Sequence, residues 1–506
     1  MTRGKQRLIV LLAVLGGGAA GWLITRTSYN SAPPPVAAKP PAPKFIPDLS
    51  PPKESKTGKR PKGGLVKDHE ADEAGALQNQ RSIHFSDREA MERFLEAAKG
   101  KGIAILGKID RLNALHVGFL SADELASLLD GSEETGFIFP VTLPTPQTEG
   151  VQEGALGFGP SLLAWLGISG DNSSYGAGVK VGILDTGSTL AGAQNYFIVP
   201  PPGDESAWNG HGTAVADLIR QIAPGTDLNS WGIADDSGQS NSFLLAQGIM
   251  AAMDAGMDLI NISMASYGNS TILRQAVEAA QAAGIKIFAS AGNEGYDQVA
   301  YPAGYEGVIS VGAVDANGTH LNFSNKGKIS MTAPGLDLLT AWTGGQTAYF
   351  TGTSGSSPIA LGVLAAALSH DGKKVTTSKG FEMVSGNLNE AGPPGADDLY
   401  GDGMVDAGRM FRSGTPGYND VALASNFVTT GTNGQTQLQV TVQNRGTDII
   451  YNAPLQVTTS SGTSTMTITS LKPGAIATYT LPFNIPANGA TVQSQITLSN
   501  GASDLK

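Results

Sequence analysis

The sequence predicts an α/β fold for its largest part, a parallel sheet with helices on both faces. Short apolar segments alternate there with longer amphipathic ones between Val179 and Arg412, a pattern typical of covered parallel sheets. The predicted strands are residues 179–184, 257–263, 285–291 and 308–314, and the predicted helices are residues 241–255 and 270–283. A βαββαβ pattern before this part predicts a ferredoxin-like α+β domain, and a helix-poor stretch after it predicts a small β-sandwich.

Composition indicates a globular protein of several domains. The chain has 506 residues, of which 66 are Gly and only 15% are charged, so tight turns and a core of small residues are expected. The formal net charge of -11 argues against general nucleic-acid binding, because phosphate contacts need clustered Lys and Arg. The absence of Cys excludes disulfides, thiol catalysis and Cys-ligated zinc.

The first thirty residues predict an export segment. Arg3, Lys5 and Arg7 precede the uncharged, mostly apolar residues 8–24, the pattern of a bacterial export signal. These seventeen residues cover roughly 25 Å as a helix, against about 30 Å of hydrocarbon core. Residues 1–30 are therefore a cleaved signal peptide or an uncleaved anchor in the inner membrane. The rest is expected in the cell envelope, in the periplasm or outside the cell.

Two segments separate the export signal from the main domain. Residues 31–78, rich in Pro and Lys, are predicted to be a disordered linker. Residues 79–147 are predicted to be the ferredoxin-like domain. Its expected elements are a strand at 82–85, a helix opened by a capping box of Ser86 and Glu89, a hairpin at 103–119, a helix opened by Ser121 and Glu124, and a strand at 136–143.

Three side chains suited to nucleophilic catalysis lie in small-residue turns within residues 148–413. Asp185 stands in Leu-Asp-Thr-Gly, His211 in Asn-Gly-His-Gly-Thr, and Ser354 in Gly-Thr-Ser-Gly-Ser-Ser-Pro. A hydroxyl is a weak nucleophile until an imidazole takes its proton and a carboxylate holds that imidazole. Asp185 and Asn293 are both predicted at carboxyl ends of strands, where parallel sheets bind ligands. Each motif alone is weak, but together they predict a serine peptidase.

These motifs, with the Ser-Ala-Gly-Asn-Glu-Gly run around Asn293, resemble those of the subtilisin-like serine peptidases over about residues 179–410. The resemblance implies a subtilisin-like fold and endopeptidase activity on proteins or peptides. It also implies a catalytic triad of Asp185, His211 and Ser354. The side chain of Asn293 and the backbone N–H of Ser354 would stabilise the oxyanion.

The resemblance also implies a zymogen. The domain at 79–147 resembles the family's inhibitory propeptide in its position, so the chain's own propeptide is an expected intramolecular partner. Its last strand, residues 137–143, would lie in the substrate cleft, and processing is expected among residues 147–154.

Substrate is expected to pair as an added strand with two segments of the main domain. These are Ser263, Met264, Ala265 and Ser266 on one side, and Ala291 with Gly292 on the other. The family usually has Gly where this chain has Ala265 and Ser266. The added side chains should narrow the entrance of the primary pocket, which predicts a preference for a small or slender residue before the cleaved bond.

Other positions depart from the family pattern near the motifs. Gly355, Ser356 and Ile359 stand where the family usually has Met, Ala and His, and Ala214 stands where it has a second His. With these changes, the sequence does not determine how the side chains behind the expected nucleophile pack. Pro358 is predicted in the first turn of the helix that follows Ser354, where a missing N–H is tolerated.

No cofactor is predicted. The helix after His211 runs directly to Ala223-Pro224-Gly225, whereas family members often carry a calcium-binding loop there. We therefore expect no metal at that place, although calcium could bind to Asp and Glu oxygens elsewhere.

Residues 414–506 are predicted to be the β-sandwich, with turn signals at Asn433-Gly434 and Lys472-Pro473-Gly474. The stretch from Asp420 resembles the Ig-like modules of bacterial exported proteins. Packing, spacing, adhesion and substrate targeting all remain open as its role. Two other hypotheses also stay open for the whole chain: an inactive homologue that serves as an exported scaffold, and an adhesion protein that acts through the sandwich.

Overall fold

The computed structural model describes residues 68–144, 151–369, 372, 374–431, 434–483 and 491–506. The expected export segment and most of the expected linker lie outside these residues. Within them, no helix has both the length and the apolar character needed to cross a membrane.

The N-terminal part is a four-stranded antiparallel sheet with helices, in the order β2-β3-β1-β4. Its elements are α1 His69–Glu73, β1 Gln80–His84, α2 Arg88–Ala97, β2 Ile103–Ile109, β3 Ala114–Phe119, α3 Ala122–Leu128 and β4 Glu134–Phe137, with a short 3-10 turn at Asp110–Leu112. From β1 onward this is the expected βαββαβ order.

The two helix caps of this part differ in how they match the sequence. Ser121 accepts a hydrogen bond from the backbone N–H of Glu124 at 3.3 Å, as the capping pattern predicts. Helix α2, in contrast, is capped by Asp87, which accepts from the N–H of Ala90 at 2.7 Å. The prediction of Ser86 as the cap was wrong by one residue, because the Asp87 carboxylate reaches the first turn and Ser86 donates to it instead.

The expected strand at 136–143 is divided in two. Its first part belongs to β4, which pairs with β1, and the chain then leaves that sheet. The second part is β5 (Pro140–Thr142), which pairs with a strand of the main domain. The break lies beside Pro140, which lacks the N–H that a continuing ladder needs.

The main domain is a seven-stranded, wholly parallel sheet flanked by helices, in the order β13-β12-β11-β10-β6-β8-β7. In chain order its elements are α4 Leu162–Trp165, β6 Lys180–Asp185, β7 Gln194–Phe197, α5 His211–Ile222, β8 Asp227–Gly232, β9 Gln239–Asn241, α6 Ser242–Asp254, β10 Leu259–Ile262, α7 Thr271–Ala282, β11 Lys286–Ser290, β12 Ile309–Val314, β13 Met331–Pro334, β14 Leu338–Trp342, β15 Gln346–Phe350, α8 Thr353–Ser369, α9 Thr377–Ser385 and α10 Ala407–Arg412. Two further 3-10 turns lie at Glu205–Ala207 and Thr343–Gly345.

Two hydrophobic clusters cover the two faces of this sheet. One is built around α5 and α8, and every residue of α8 is buried. The other is built around α6 and α7, and it also contains Ile109, Ile138 and Val141 from the N-terminal part. The ring of His116 packs on Phe243 of α6, with 5.1 Å between ring centroids. The N-terminal part is therefore docked on α6 and α7 by apolar burial.

The C-terminal part consists of two antiparallel sheets around one apolar cluster. One sheet has the order β16-β17-β20 and the other β19-β18-β21-β22. Their strands are β16 Val421–Thr430, β17 Thr436–Asn444, β18 Ile450–Thr459, β19 Gly462–Leu471, β20 Ile476–Pro482, β21 Gln493–Thr497 and β22 Ser503–Leu505.

Candidate active site

An Asp–His pair lies where β6 ends and α5 begins. Asp185 is the last residue of β6 and His211 is the first residue of α5. The Nδ1 atom of His211 lies 2.9 Å from each carboxylate oxygen of Asp185. The backbone N–H of Thr186 also donates to Asp185 Oδ1, at 2.8 Å. This arrangement holds the imidazole in one orientation and leaves its Nε2 free for a proton.

Ser354 lies in the first turn of α8 and faces Ser263. Its Oγ donates to the carbonyl of Ser263 at 3.4 Å, while the Ser263 hydroxyl donates to the carbonyl of Ser354 at 2.9 Å. Helix α8 begins at Thr353, so Pro358 is its sixth residue and lies beyond the first turn where it was predicted. Proline has no N–H for the carbonyl four residues earlier, which is that of Ser354, and the Ser263 hydroxyl satisfies this carbonyl instead.

Ser354 and His211 form no hydrogen bond with each other in the structure. The Nε2 atom of His211 is buried and has no hydrogen-bond partner. The His211 ring packs on Phe350, at 5.1 Å between centroids, and Phe350 also borders Gly355, the chain neighbour of Ser354. Catalytic hydrogen bonds of this kind often form only when substrate is in its reacting position.

Asn293 lies beside Ser354 with its amide fixed in direction. Its Oδ1 accepts hydrogen bonds from the backbone N–H and the hydroxyl of Thr353, at 2.9 and 2.8 Å. Its Nδ2 is thereby turned the other way and donates to the carbonyl oxygen of Pro144 at 2.9 Å. Asn293 is thus placed as a donor to a peptide carbonyl next to Ser354. Thr353, which orients it, was not singled out from the sequence although it precedes the serine.

Residues 140–144, here called the cleft segment, run through the site as an added strand. Thr142 and Ala265 exchange two backbone hydrogen bonds of 2.9 Å. On the other side, β5 pairs with β9, and the N–H of Leu143 donates to the carbonyl of Gly238 at 3.1 Å. Pro144 follows, with its carbonyl on Asn293. The cleft segment therefore has backbone partners on both sides.

The partners of the cleft segment differ in part from those expected. Of the residues 263–266, Ala265 makes the strand pairing, Ser263 contacts Ser354, Met264 is buried in the core, and Ser266 pairs with Tyr301. Ala291 and Gly292 form no hydrogen bond with the cleft segment, because their backbone groups are bonded within the main domain. Strand β9 (Gln239–Asn241) pairs with the cleft segment on that side instead. Its short polar sequence did not predict a strand.

A polar cluster lies beside the site, and two of its residues directly follow Ser266 and Asn293 in the chain. Tyr267 follows Ser266, Glu294 follows Asn293, and the hydroxyl of Tyr267 donates to the carboxylate of Glu294. Asn325 donates to the Tyr267 hydroxyl at 2.7 Å. Burial, followed by the charge of Glu294, raises the pKa of Tyr267, which keeps the phenol protonated. The cluster fills the space beside Gly292.

The same carboxylate also binds the backbone of Asn293. Glu294 accepts a hydrogen bond from the backbone N–H of Asn293 at 2.8 Å. Sequence analysis missed Tyr267 and Asn325, since nothing in their local sequence marks them.

The positions that depart from the family pattern are filled by close packing. A Cβ on Gly355 would lie 2.6 Å from Leu338 Cδ1, so a larger residue does not fit without movement. The Ser356 hydroxyl donates to the carbonyl of Pro334 at 3.1 Å, and Ile359 and Ala214 are fully buried. The packing around these four positions therefore accommodates the residues present. In the part of the chain that the structure describes, no group of three or more acidic or His side chains could hold a metal ion.

The chain is similar to proteins of known activity. Residues 176–403 match the Subtilase family, Peptidase_S8. The Thermostable alkaline protease of Halalkalibacterium halodurans is 35% identical over 251 residues, which cover 46% of this chain and 68% of that protein. Subtilisin Savinase of Lederbergia lenta is 34% identical over 248 residues, which cover 46% of this chain and 90% of that protein.

A solved structure is similar over most of the chain. The crystal structure of fervidolysin from Fervidobacterium pennivorans, described as a keratinolytic enzyme related to subtilisin, matches with a TM-score of 0.56 and 18% identity. The match covers 84% of this chain and 87% of that one, and it shows a shared fold.

Proposed function

The chain belongs to the Subtilase family of peptidases, and from this we propose that it is a serine endopeptidase with Asp185, His211 and Ser354 as its triad. The observation that carries the proposal is the hydrogen bond from Asn293 to the carbonyl of Pro144. It holds a peptide carbonyl beside a serine hydroxyl, near a histidine oriented by a buried carboxylate.

The proposed reaction proceeds through an acyl-enzyme. The Ser354 oxygen attacks the carbonyl carbon, and Nε2 of His211 takes the hydroxyl proton. Asp185 accepts from Nδ1 and stabilises the cationic ring. The carbonyl oxygen becomes an oxyanion that accepts from Asn293, and His211 then gives its proton to the leaving amine. Water releases the acyl group by the same steps in reverse.

We propose that the chain is made as an autoinhibited zymogen. Ser354 is only 1% exposed while the cleft segment is in place, so an external protein has no access to it. The carbonyl on Asn293 is that of Pro144, which favours processing at the bond that follows Pro144. This replaces the expected range of 147–154. Within that range, Gln152 is bonded to the carbonyl of His320 and the N–H of Asn322, and the structure does not describe residues 145–150.

The proposed substrate preference is a small residue before the cleaved bond. Three features support it: the side chains of Ala265 and Ser266, the Tyr267–Glu294 pair that fills the space beside Gly292, and the occupant Pro144. Proline has no N–H to donate to the Ser263 carbonyl, which takes the Ser354 hydroxyl instead. Proline is thus accepted at this position at the cost of one backbone hydrogen bond.

We also propose that the enzyme is exported through residues 1–30, on the sequence pattern alone, and that the C-terminal sandwich acts outside the catalytic site. The second candidate function is that of an inactive homologue used as a scaffold. The missing hydrogen bond between Ser354 and His211 favours it.

Mass spectrometry of the purified chain tests the proposal. The unmutated protein should lose the residues before 145, and Ser354→Ala should keep them. Ser356→Ala is the matched control, since the family usually has Ala there, and it should be processed like the unmutated chain. Processing of Ser354→Ala at the same bond would contradict the proposal. An intact chain in all three would favour the inactive homologue.

A further inference from the structure

A cavity lies between the main domain and the C-terminal sandwich, remote in sequence from the triad. Its walls come from the end of α9, from α10 and from two turns of the sandwich. The lining residues are Gly386, Asn387, Arg409, Ser413, Arg445, Gly446, Thr447, Pro473 and Gly474. Two arginines and no acidic residue are among them, so the charge on the wall is positive.

The two guanidinium groups are largely unused. Arg409 is 4% exposed, its Nη1 donates to the carbonyl of Leu388, and its buried Nε has no partner. Arg445 donates from Nε to Gln443 Oε1 at 3.2 Å. Within the described parts of the chain, no other hydrogen bond and no ion pair within 4.0 Å involves either guanidinium. Most of their ten N–H groups therefore lack a protein acceptor.

Among the described residues, the three nearby carboxylates of Asp406, Asp420 and Asp504 form no ion pair within 4.0 Å with either guanidinium. Both oxygens of Asp406 are bonded elsewhere, to the N–H of Arg409 and to Asn389. Asp504 accepts from the backbone N–H groups of Leu423 and Leu505. Burial and the charge of Arg445 lower the pKa of Arg409, Asp406 and Asp420 raise it, and the net value is about 10, so this guanidinium stays charged at neutral pH. Burial also lowers the pKa of Arg445, and Asp420, Asp406 and Asp504 oppose that effect.

We propose that this cavity binds a tetrahedral oxyanion, sulfate or inorganic phosphate, between Arg409 and Arg445. A guanidinium presents its N–H groups as a planar fork that matches two oxygens of such an anion. Two forks that face one polar cavity can therefore share a single anion. An unpaired buried charge is costly, and the anion removes that cost for Arg409.

The anion would also join two parts of the molecule. Arg409 belongs to α10 of the main domain, and Arg445 directly follows β17 of the sandwich. The protein contacts here are polar: the carbonyl of Leu388 accepts from both Arg409 and Gln443, and Gln443 accepts from the N–H of Glu390. Bound between them, the anion would stabilise the docking of the sandwich on the main domain.

Calorimetric titration with sodium sulfate and, separately, sodium phosphate tests the proposal. The full chain is used with Ser354→Ala, which prevents self-digestion, at pH 7.5 and at constant ionic strength set with sodium chloride. We expect one saturable site for each anion, and an increase in the melting temperature that chloride does not reproduce. Arg445→Gln should weaken binding at least tenfold, and Arg274→Gln, a change at an exposed arginine, should leave it unchanged.

The variants keep the test decisive. Arg409→Gln should abolish anion binding. Arg445 is less buried, so Arg445→Gln tests the proposal if the Arg409→Gln variant does not fold. Absence of saturable binding up to about 20 mM of either anion would overturn the proposal, since a site occupied in cells must bind near millimolar concentrations or tighter. Equal affinity in Arg445→Gln and the parent protein would overturn it as well.

Discussion

Removal of the Asn293 amide should slow catalysis without weakening substrate binding. Asn293→Ala deletes the Nδ2 donor that lies 2.9 Å from the Pro144 carbonyl oxygen. That donor is worth most when the carbonyl becomes an oxyanion, because a charged acceptor strengthens the hydrogen bond. The ground-state carbonyl gains much less from it. The loss should therefore appear in kcat, with KM nearly unchanged.

The size of this effect follows from one donor lost out of two. Loss of a single oxyanion donor lowers kcat by about 10² to 10³, or about 2.7 to 4 kcal/mol. That range comes from a peptidase of this same family. Thr353→Val removes the hydroxyl that donates to Asn293 Oδ1 and accepts from the N–H of Gly292, and it keeps the backbone N–H that also holds Asn293 Oδ1. Its loss should be at most about tenfold, the worth of one neutral hydrogen bond.

Steady-state kinetics on the processed enzyme measures both effects. The substrate is a peptide with a small residue before the cleaved bond, and urea unfolding of each variant shows whether the fold is retained. A kcat for Asn293→Ala within threefold of the parent value, in a folded protein, would refute the role of Asn293 as oxyanion donor. A larger loss in Thr353→Val than in Asn293→Ala would refute the order of effects.

Two further predictions follow. Tyr267→Ala should open the primary pocket and raise the ratio of kcat/KM for Phe to that for Ala before the cleaved bond at least about tenfold. Paired peptides that differ in this one residue measure the ratio. An unchanged ratio, or a parent enzyme that strongly prefers Phe or Tyr, would contradict the proposed narrow pocket. Burial lowers the pKa of His116 to about 4, below the 6.5 expected in the unfolded chain. The folded state therefore binds fewer protons than the unfolded chain between these two pH values. Neutral His116 contributes to the free energy of unfolding fully above pH 6.5, and this contribution, at most about 3 kcal/mol, is lost as pH falls toward 4. Urea unfolding of the Ser354→Ala chain at pH 7.5 and 4.5 should show a weaker pH dependence in His116→Gln than in the control His84→Gln; equal dependence would show that His116 does not contribute.

Local sequence was enough to locate the candidate catalytic motifs. Asp185, His211, Asn293 and Ser354 each lie in a turn of small residues at the end of a strand or the start of a helix, so their positions depend on near neighbours. The alternation of strands and helices also predicted the parallel sheet. Strands such as β8 (Asp227–Gly232) were missed because their sequence is largely polar, and their neighbours in the sheet define them.

Contacts between distant segments could not be predicted in the same way. The sequence placed residues 137–143 in the cleft only by family resemblance, and neither β9 nor the Pro144 carbonyl was identified as part of the site. Both depend on how the N-terminal part docks on α6 and α7, where burial of Ile138 and Val141 sets the position of the chain. The link between Tyr267 and Glu294 joins residues 27 positions apart and carries no local signal.

Labelling with a fluorophosphonate, followed by peptide mapping of the processed protein, tests the central claim most directly. The reagent phosphonylates a serine that an adjacent imidazole has activated. The account predicts modification at Ser354, with labelling at least a hundredfold slower in a His211→Ala chain that added unmutated enzyme has processed at the same bond. An unlabelled Ser354 in the processed protein, or equal labelling rates with and without His211, would contradict it.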